Sequence, residues 1–119
     1  MKILIVDDSK AMRMIVKRTL KQAGFGEATM SEATNGKEGL EAVKADKPDI
    51  VLCDWNMPEM TGIELLRALR AEGNEVKFGF VTSEGTTEMR QQAQESGALF
   101  LISKPFTAAD FTEHVGAAK

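Results

Sequence analysis

The chain has 119 residues, 43% of them hydrophobic and 28% charged, with a net charge of -3. This is enough for one core that buries roughly two thirds of the unfolded surface, and the charge balance, with no Lys/Arg cluster, argues against nucleic acid as a partner. A single cysteine, Cys53, excludes an internal disulfide and fits a reducing cytosol; no apolar run reaches membrane-spanning length, so a cytoplasmic, monomeric domain without membrane contact is expected.

Ile3 to Val6 is a short, wholly apolar run that reads as a strand, too short for a signal core and followed by Asp7-Asp8-Ser9. Met12, Ile15, Val16, Leu20 and Ala23 then recur at helical spacing, with Arg13, Lys17, Arg18 and Lys21 assigned to the solvated face and Gly24 as the stop. Glu27 to Ala33 alternates polar and apolar residues, as a half-buried edge strand does. Asn35 with Glu38 predicts a capped helix carrying Leu40 and Val43, ended by Lys47-Pro48. Ile50 to Cys53 is apolar without interruption, the pattern of a central parallel strand buried on both faces. It runs into Asp54, and Met57-Pro58 prevents its continuation. Thr61 with Glu64 opens a helix bearing Ile63, Leu66 and Leu69, closed at Gly73-Asn74. Phe78 to Val81 predicts a fourth strand ending in Thr82-Ser83. The helical stretch Gly85 to Gln94 offers only Met89 and Ala93 as an apolar stripe and should be the least firmly packed. Leu99 to Ile102 predicts the fifth strand, before Ser103-Lys104-Pro105, and Thr107 with Asp110 caps a last helix containing Phe111 and Val115. Five strands alternating with helices imply parallel βαβ units.

The chemistry stands at the strand ends. Asp7, Asp8, Asp54, Thr82 and Lys104 each follow a strand, and an open α/β sheet gathers such ends along one edge. Carboxylates about 4 Å apart repel by roughly 4 kcal/mol at an effective dielectric near 20. A hard divalent cation and the Lys104 ammonium would offset that, and all-oxygen ligands favour Mg²⁺. Such a set suits phosphoryl transfer, with Asp54 as nucleophile forming an acyl phosphate while Thr82 and Lys104 meet the phosphoryl oxygens. Singly, each residue has a plainer reading: Asp8 and Ser9 as a helix cap, Asp54 as a turn former, Thr82 as a cap, Lys104 as a surface lysine. Cys53 reads as a buried small hydrophobe and His114 as a solvated helix residue.

Asp7-Asp8, Asp54 followed by Met57-Pro58 and Gly62, Thr82, and Lys104-Pro105 together resemble the signature of the receiver domains of two-component response regulators. Asp54-Trp55-Asn56-Met57-Pro58 and Lys104-Pro105-Phe106-Thr107-Ala108-Ala109 are particularly similar to its single-domain, chemotaxis-type members. The resemblance covers the whole chain. It implies a flavodoxin-like, doubly wound (βα)5 sandwich with a parallel five-stranded sheet in the order 2-1-3-4-5, and residues 1–119 as a stand-alone receiver without an output domain. It implies that Asp54 accepts phosphate from the phosphohistidine of a histidine kinase or phosphotransfer protein. Mg²⁺ would be held by Asp8, Asp54 and the Asn56 backbone carbonyl, with Asp7 acting through water. Asn56 and Glu84 occupy the positions that tune dephosphorylation in the family. Its Lys-Pro bond is commonly cis, which leaves cis or trans open at Lys104-Pro105. The chain departs from the chemotaxis pattern at Leu101, where an aromatic switch residue is usual; Phe100 precedes it.

The expected activity is therefore a phosphorylation-switched signalling module that catalyses its own phosphorylation and dephosphorylation and turns over no external substrate. The signal should leave toward a downstream effector protein through the Gly85–Gln94 helix, the fifth strand and the last helix, around Phe100, Leu101, Phe106 and Phe111. The kinase or phosphotransfer partner should dock beside Asp8, around Lys10 to Ile15. Three alternatives compete. A haloacid-dehalogenase-type phosphohydrolase would place its acids as Asp-x-Asp, whereas Asp7 and Asp8 are adjacent. A flavodoxin-type FMN binder would find its phosphate repelled by those acids. A phosphorylation-independent interaction module usually lacks one of the acids present here.

Overall fold

The computed structural model describes residues 1–118. In chain order it contains β1 (Lys2–Val6), α1 (Lys10–Leu20), β2 (Thr29–Ala33), α2 (Gly36–Asp46), β3 (Ile50–Cys53), α3 (Gly62–Ala71), β4 (Lys77–Thr82), α4 (Thr87–Glu95), β5 (Phe100–Ser103) and α5 (Ala108–Ala117). The strands are all parallel, in the order β2-β1-β3-β4-β5. This is the doubly wound sandwich expected from the strand–helix alternation.

The period of two along the central strands builds two cores from one run of apolar residues. Leu4, Val6, Val51 and Cys53 face α2 and α3, packing with Ile63, Leu66, Leu69, Phe78 and Phe80. Ile3, Ile5, Ile50 and Leu52 face α1 and α5, packing with Val16, Leu20, Phe111 and Val115. β2 pairs only with β1 and is half-buried, as its alternation predicts.

The helix starts follow their capping residues. Thr61 with Glu64 and Thr107 with Asp110 form reciprocal capping boxes. Asn35 accepts from the Glu38 N–H, but the Glu38 carboxylate reaches back one residue too far and takes the Thr34 N–H at 3.1 Å, so that box is only half closed.

α1 continues past Leu20 in a wider last turn, and Gly24, at φ 100°, leaves helical geometry where the sequence places the stop, carrying Phe25 into the core beside α5. Two sequence expectations are corrected. Arg13 is not on the solvated face; it is buried with Val16 and Leu20, while Ile15, assigned to the apolar stripe, is 42% exposed. His114 is half-buried, its ring 5.2 Å from that of Phe100.

Candidate functional site

β1, β3, β4 and β5 deliver their carboxyl ends to one edge of the sheet, as the parallel topology requires. Asp7, Asp8 and Asp54 meet there, each offering a carboxylate oxygen within 4.8 Å of the other two. The Lys104 ammonium lies 3.4 Å from Asp7 Oδ2 and 3.8 Å from Asp54 Oδ1. Thr82 is wholly buried at the end of β4, where its carbonyl accepts the Lys104 N–H at 2.7 Å. The Lys104–Pro105 peptide bond is cis.

Each acid is held differently. Asp7 is buried: its Oδ1 accepts the Ser9 N–H at 2.9 Å, its own N–H donates to the Ala33 carbonyl, and its carbonyl accepts from Arg13 at 2.7 Å. Asp8 is exposed. Asp54 lies between these extremes, and the Trp55 N–H fixes its Oδ1 at 2.8 Å. Burial is the main force lifting the Asp54 carboxyl above its usual range. The Lys104 ammonium opposes the lift, and the Asp7 charge adds to it. An acid with a raised affinity for protons in a cluster of acids is short of positive charge, and the all-oxygen donor set suits a hard divalent ion.

The loop after β3 is shaped by close approach. A Cβ at Gly62 would meet the Asp54 carbonyl oxygen at 2.3 Å, so only glycine lets α3 begin this close to the acid. Glu59 takes φ 66°, and the Met60 N–H closes on the Pro58 carbonyl at 2.7 Å. At the mouth, Asn56 Nδ2 donates to Glu84 Oε1 at 3.0 Å, which brings together the two positions singled out for tuning dephosphorylation.

Leu101 and Phe100 part company. Leu101 is buried on the α3–α4 side, whereas Phe100 packs on the α1–α5 side, flat against Gly79, where a Cβ would strike its ring at 2.1 Å. Adjacent strand residues face opposite ways, so the two do not share one surface. Phe106 packs against Phe111 with ring centroids 5.0 Å apart.

The chain matches the family model described as response regulator receiver domain over residues 3–116. It belongs to that family. This receiver is 39% identical to the Chemotaxis protein CheY of Pseudomonas aeruginosa over 117 residues, covering 97% of this chain and 93% of that one. It is 43% identical to the Chemotaxis protein CheY-3 of Vibrio cholerae over 115 residues, covering 95% and 87%. The solved structure of Vibrio cholerae CheY4 superposes with a TM-score of 0.85 at 30% identity, covering 99% of this receiver and 98% of that chain. The Francisella response regulator 1452 receiver domain does so at 0.87 and 26%, covering 98% and 94%. A receiver of two-component, chemotaxis-type signalling is a signalling protein and not a metabolic enzyme, which removes the phosphohydrolase and FMN readings.

Sequence reasoning missed Arg13 and Arg90. Arg13 Nε donates to Glu32 Oε1 at 2.9 Å, joining α1 to β2. Arg13, Val16 and Leu20 stand at i, i+3 and i+7, so the buried stripe was already pointing at the arginine. Arg90 reaches from α4 to the Leu101 carbonyl at 3.1 Å and to Ser103 Oγ at 2.9 Å. Nothing in the local pattern of an exposed helix announces that contact. Among the described residues, no helix is long and apolar enough to cross a membrane.

Proposed function

We propose that Asp54 is the phosphoacceptor, taking a phosphoryl group from the phosphohistidine of a cytoplasmic histidine kinase or phosphotransfer protein. The observation that carries this reading is the juxtaposition of Asp54 with Asp7, Asp8 and Lys104 at the sheet edge. The Trp55 N–H occupies Asp54 Oδ1, so Oδ2 is assigned the attack on phosphorus. The P–N bond breaks, and its electron pair leaves with the donor imidazole. Lys104 meets one phosphoryl oxygen as an ammonium, and the Thr82 hydroxyl donates to another. Asp8, Asp54 and the Asn56 carbonyl are the residues to hold Mg²⁺, with Asp7 acting through water, and the ion would neutralise charge on the transferring group. Hydrolysis reverses the state: water attacks phosphorus, the P–O bond to Asp54 breaks, and inorganic phosphate leaves. Asn56 and Glu84, joined across the mouth, govern that water's access.

Both docking faces have physical support. Met14 and Ile15 are 52% and 42% exposed on α1, and Met12, Ile15, Pro105 and Phe106 line an apolar groove beside Lys104 suited to the phosphodonor. For the effector we assign α4, β5 and α5, where α4 buries only Ala93 and Leu99 is 56% exposed. Thr82 pairs with Ser103, which Arg90 of α4 reaches, and Leu101 pairs with Phe80 in the same β4–β5 register. Leucine fills space there without presenting a ring or hydroxyl.

Incubation with a small-molecule phosphodonor, followed by intact mass and Trp55 fluorescence, tests the reading. Wild type should gain one phosphoryl group with Mg²⁺ and none with chelator, and Asp54→Asn should gain none. A phosphoryl group retained by Asp54→Asn, or acquired without a divalent ion, would overturn it.

A further inference from the structure

We propose that Arg13 is a positioning residue for the acid cluster, acting by fixing the peptide that joins Asp7 to Asp8. This rests on the reading of that cluster as the divalent-cation site. The guanidinium is buried, and Nη1 donates to the Asp7 carbonyl at 2.7 Å. That carbonyl belongs to the same rigid peptide plane as the Asp8 N–H, so holding it sets the direction in which the chain carries the Asp8 carboxylate. The other atoms of Asp7 are also engaged, by Ser9, Ala33 and Lys104. Arg13 therefore completes the clamp on the residue from which Asp8 projects.

Glu32 makes this arrangement compatible with cation binding. Its Oε1 accepts from Arg13 Nε at 2.9 Å and its Oε2 from Lys17 at 2.8 Å. The guanidinium is thus braced from β2, and its charge is partly neutralised before it reaches the acids. Only arginine offers donors in a fixed planar fork that can serve a carbonyl on one side and a carboxylate on the other. The clamp draws together β1, α1 and β2, so the edge strand contributes to the site without placing a residue in it.

The test separates geometry from charge by its sign. Removing a cation near an acid cluster strengthens divalent-ion binding if charge alone matters, whereas losing the clamp weakens it. Mg²⁺ alone is titrated into full-length wild type, Arg13→Met and Arg13→Lys, with Trp55 fluorescence as the readout, at a temperature where circular dichroism shows each variant folded. Loss of a partner that orients a ligand residue weakens metal binding about 10–100-fold, so Arg13→Met should bind about tenfold more weakly. Arg13→Lys keeps the charge and loses the fork, so about threefold weakening is expected, and it carries the test if the methionine variant does not fold. Mg²⁺ affinity equal to or tighter than wild type in the folded variants, even with a lowered melting temperature, would leave Arg13 a structural brace and overturn the inference. A wild type that ignores Mg²⁺ while Asp54 still takes up phosphate would remove the cation reading itself, and the positioning role with it.

Discussion

The two ends of the candidate site are built to different tolerances. At the β1–α1 end, α1 buries Val16, Leu20 and the Arg13 stem, Ser9 caps it, and Arg13 and Lys17 lash it to Glu32 on β2. At the β4–α4 end, α4 buries only Ala93, with Met89 half-buried, and is held to β5 chiefly by Arg90. The contrast fits the division of labour in the proposed function. Acids that must hold a cation in fixed geometry need a rigid support, because small displacements cost affinity. A helix that must report on the site needs a shallow energy well, since elements that move are drawn from the low-stability end of a structure.

The largest effect should come from breaking the rigid end. Leu20 is wholly buried, so Leu20→Ala should destabilise the protein by about 2–5 kcal/mol in denaturant titration. Met89→Ala on α4 should lose about 1 kcal/mol or less, because its side chain is only half-buried. Similar losses from the two variants would erase the contrast. A smaller global effect but a sharper local one is expected from Arg90→Met. Losing charged-donor bonds worth about 1–2 kcal/mol should speed amide hydrogen exchange in α4 by about tenfold while exchange in α1 stays unchanged. Exchange accelerated equally in both helices would show that α4 is not held separately.

The smallest effect concerns the acid between the two ends. Because burial raises the folded-state affinity of Asp54 for its proton, the folded protein binds that proton more readily than the unfolded chain. Stability contributed by this group therefore falls as pH rises from the usual carboxylate value of 3.8 through the raised one, and the deficit persists above it. In chelator, Asp54→Asn should melt above wild type at neutral pH, read as the midpoint of thermal unfolding. The gap should close in acid below the usual value, where the wild-type carboxyl is protonated in both states. A gap that instead widens in acid would place the stabilising force on the carboxylate itself.

Patterns with one local cause were legible in the residues: the run Ile50 to Cys53 declared a strand covered on both faces, Thr61 and Thr107 declared helix starts, and the poverty of apolar residues around Met89 declared a loosely packed α4. Asp7, Asp8, Asp54 and Lys104 were also legible as one constellation, because a parallel sheet collects its strand ends at one edge whatever their distance along the chain. What the residues left undecided is how long side chains are spent. The spacing of Arg13 with Val16 and Leu20 signals a buried stem, but not that the guanidinium reaches back to the Asp7 carbonyl and across to Glu32. The same holds for the reach of Arg90 across to β5 and for the turn that carries Phe25 inward. Arg13 meets Glu32 and Arg90 meets Leu101 across 19 and 11 residues of chain, and only the packed structure brings such groups within the few ångströms over which a hydrogen bond acts.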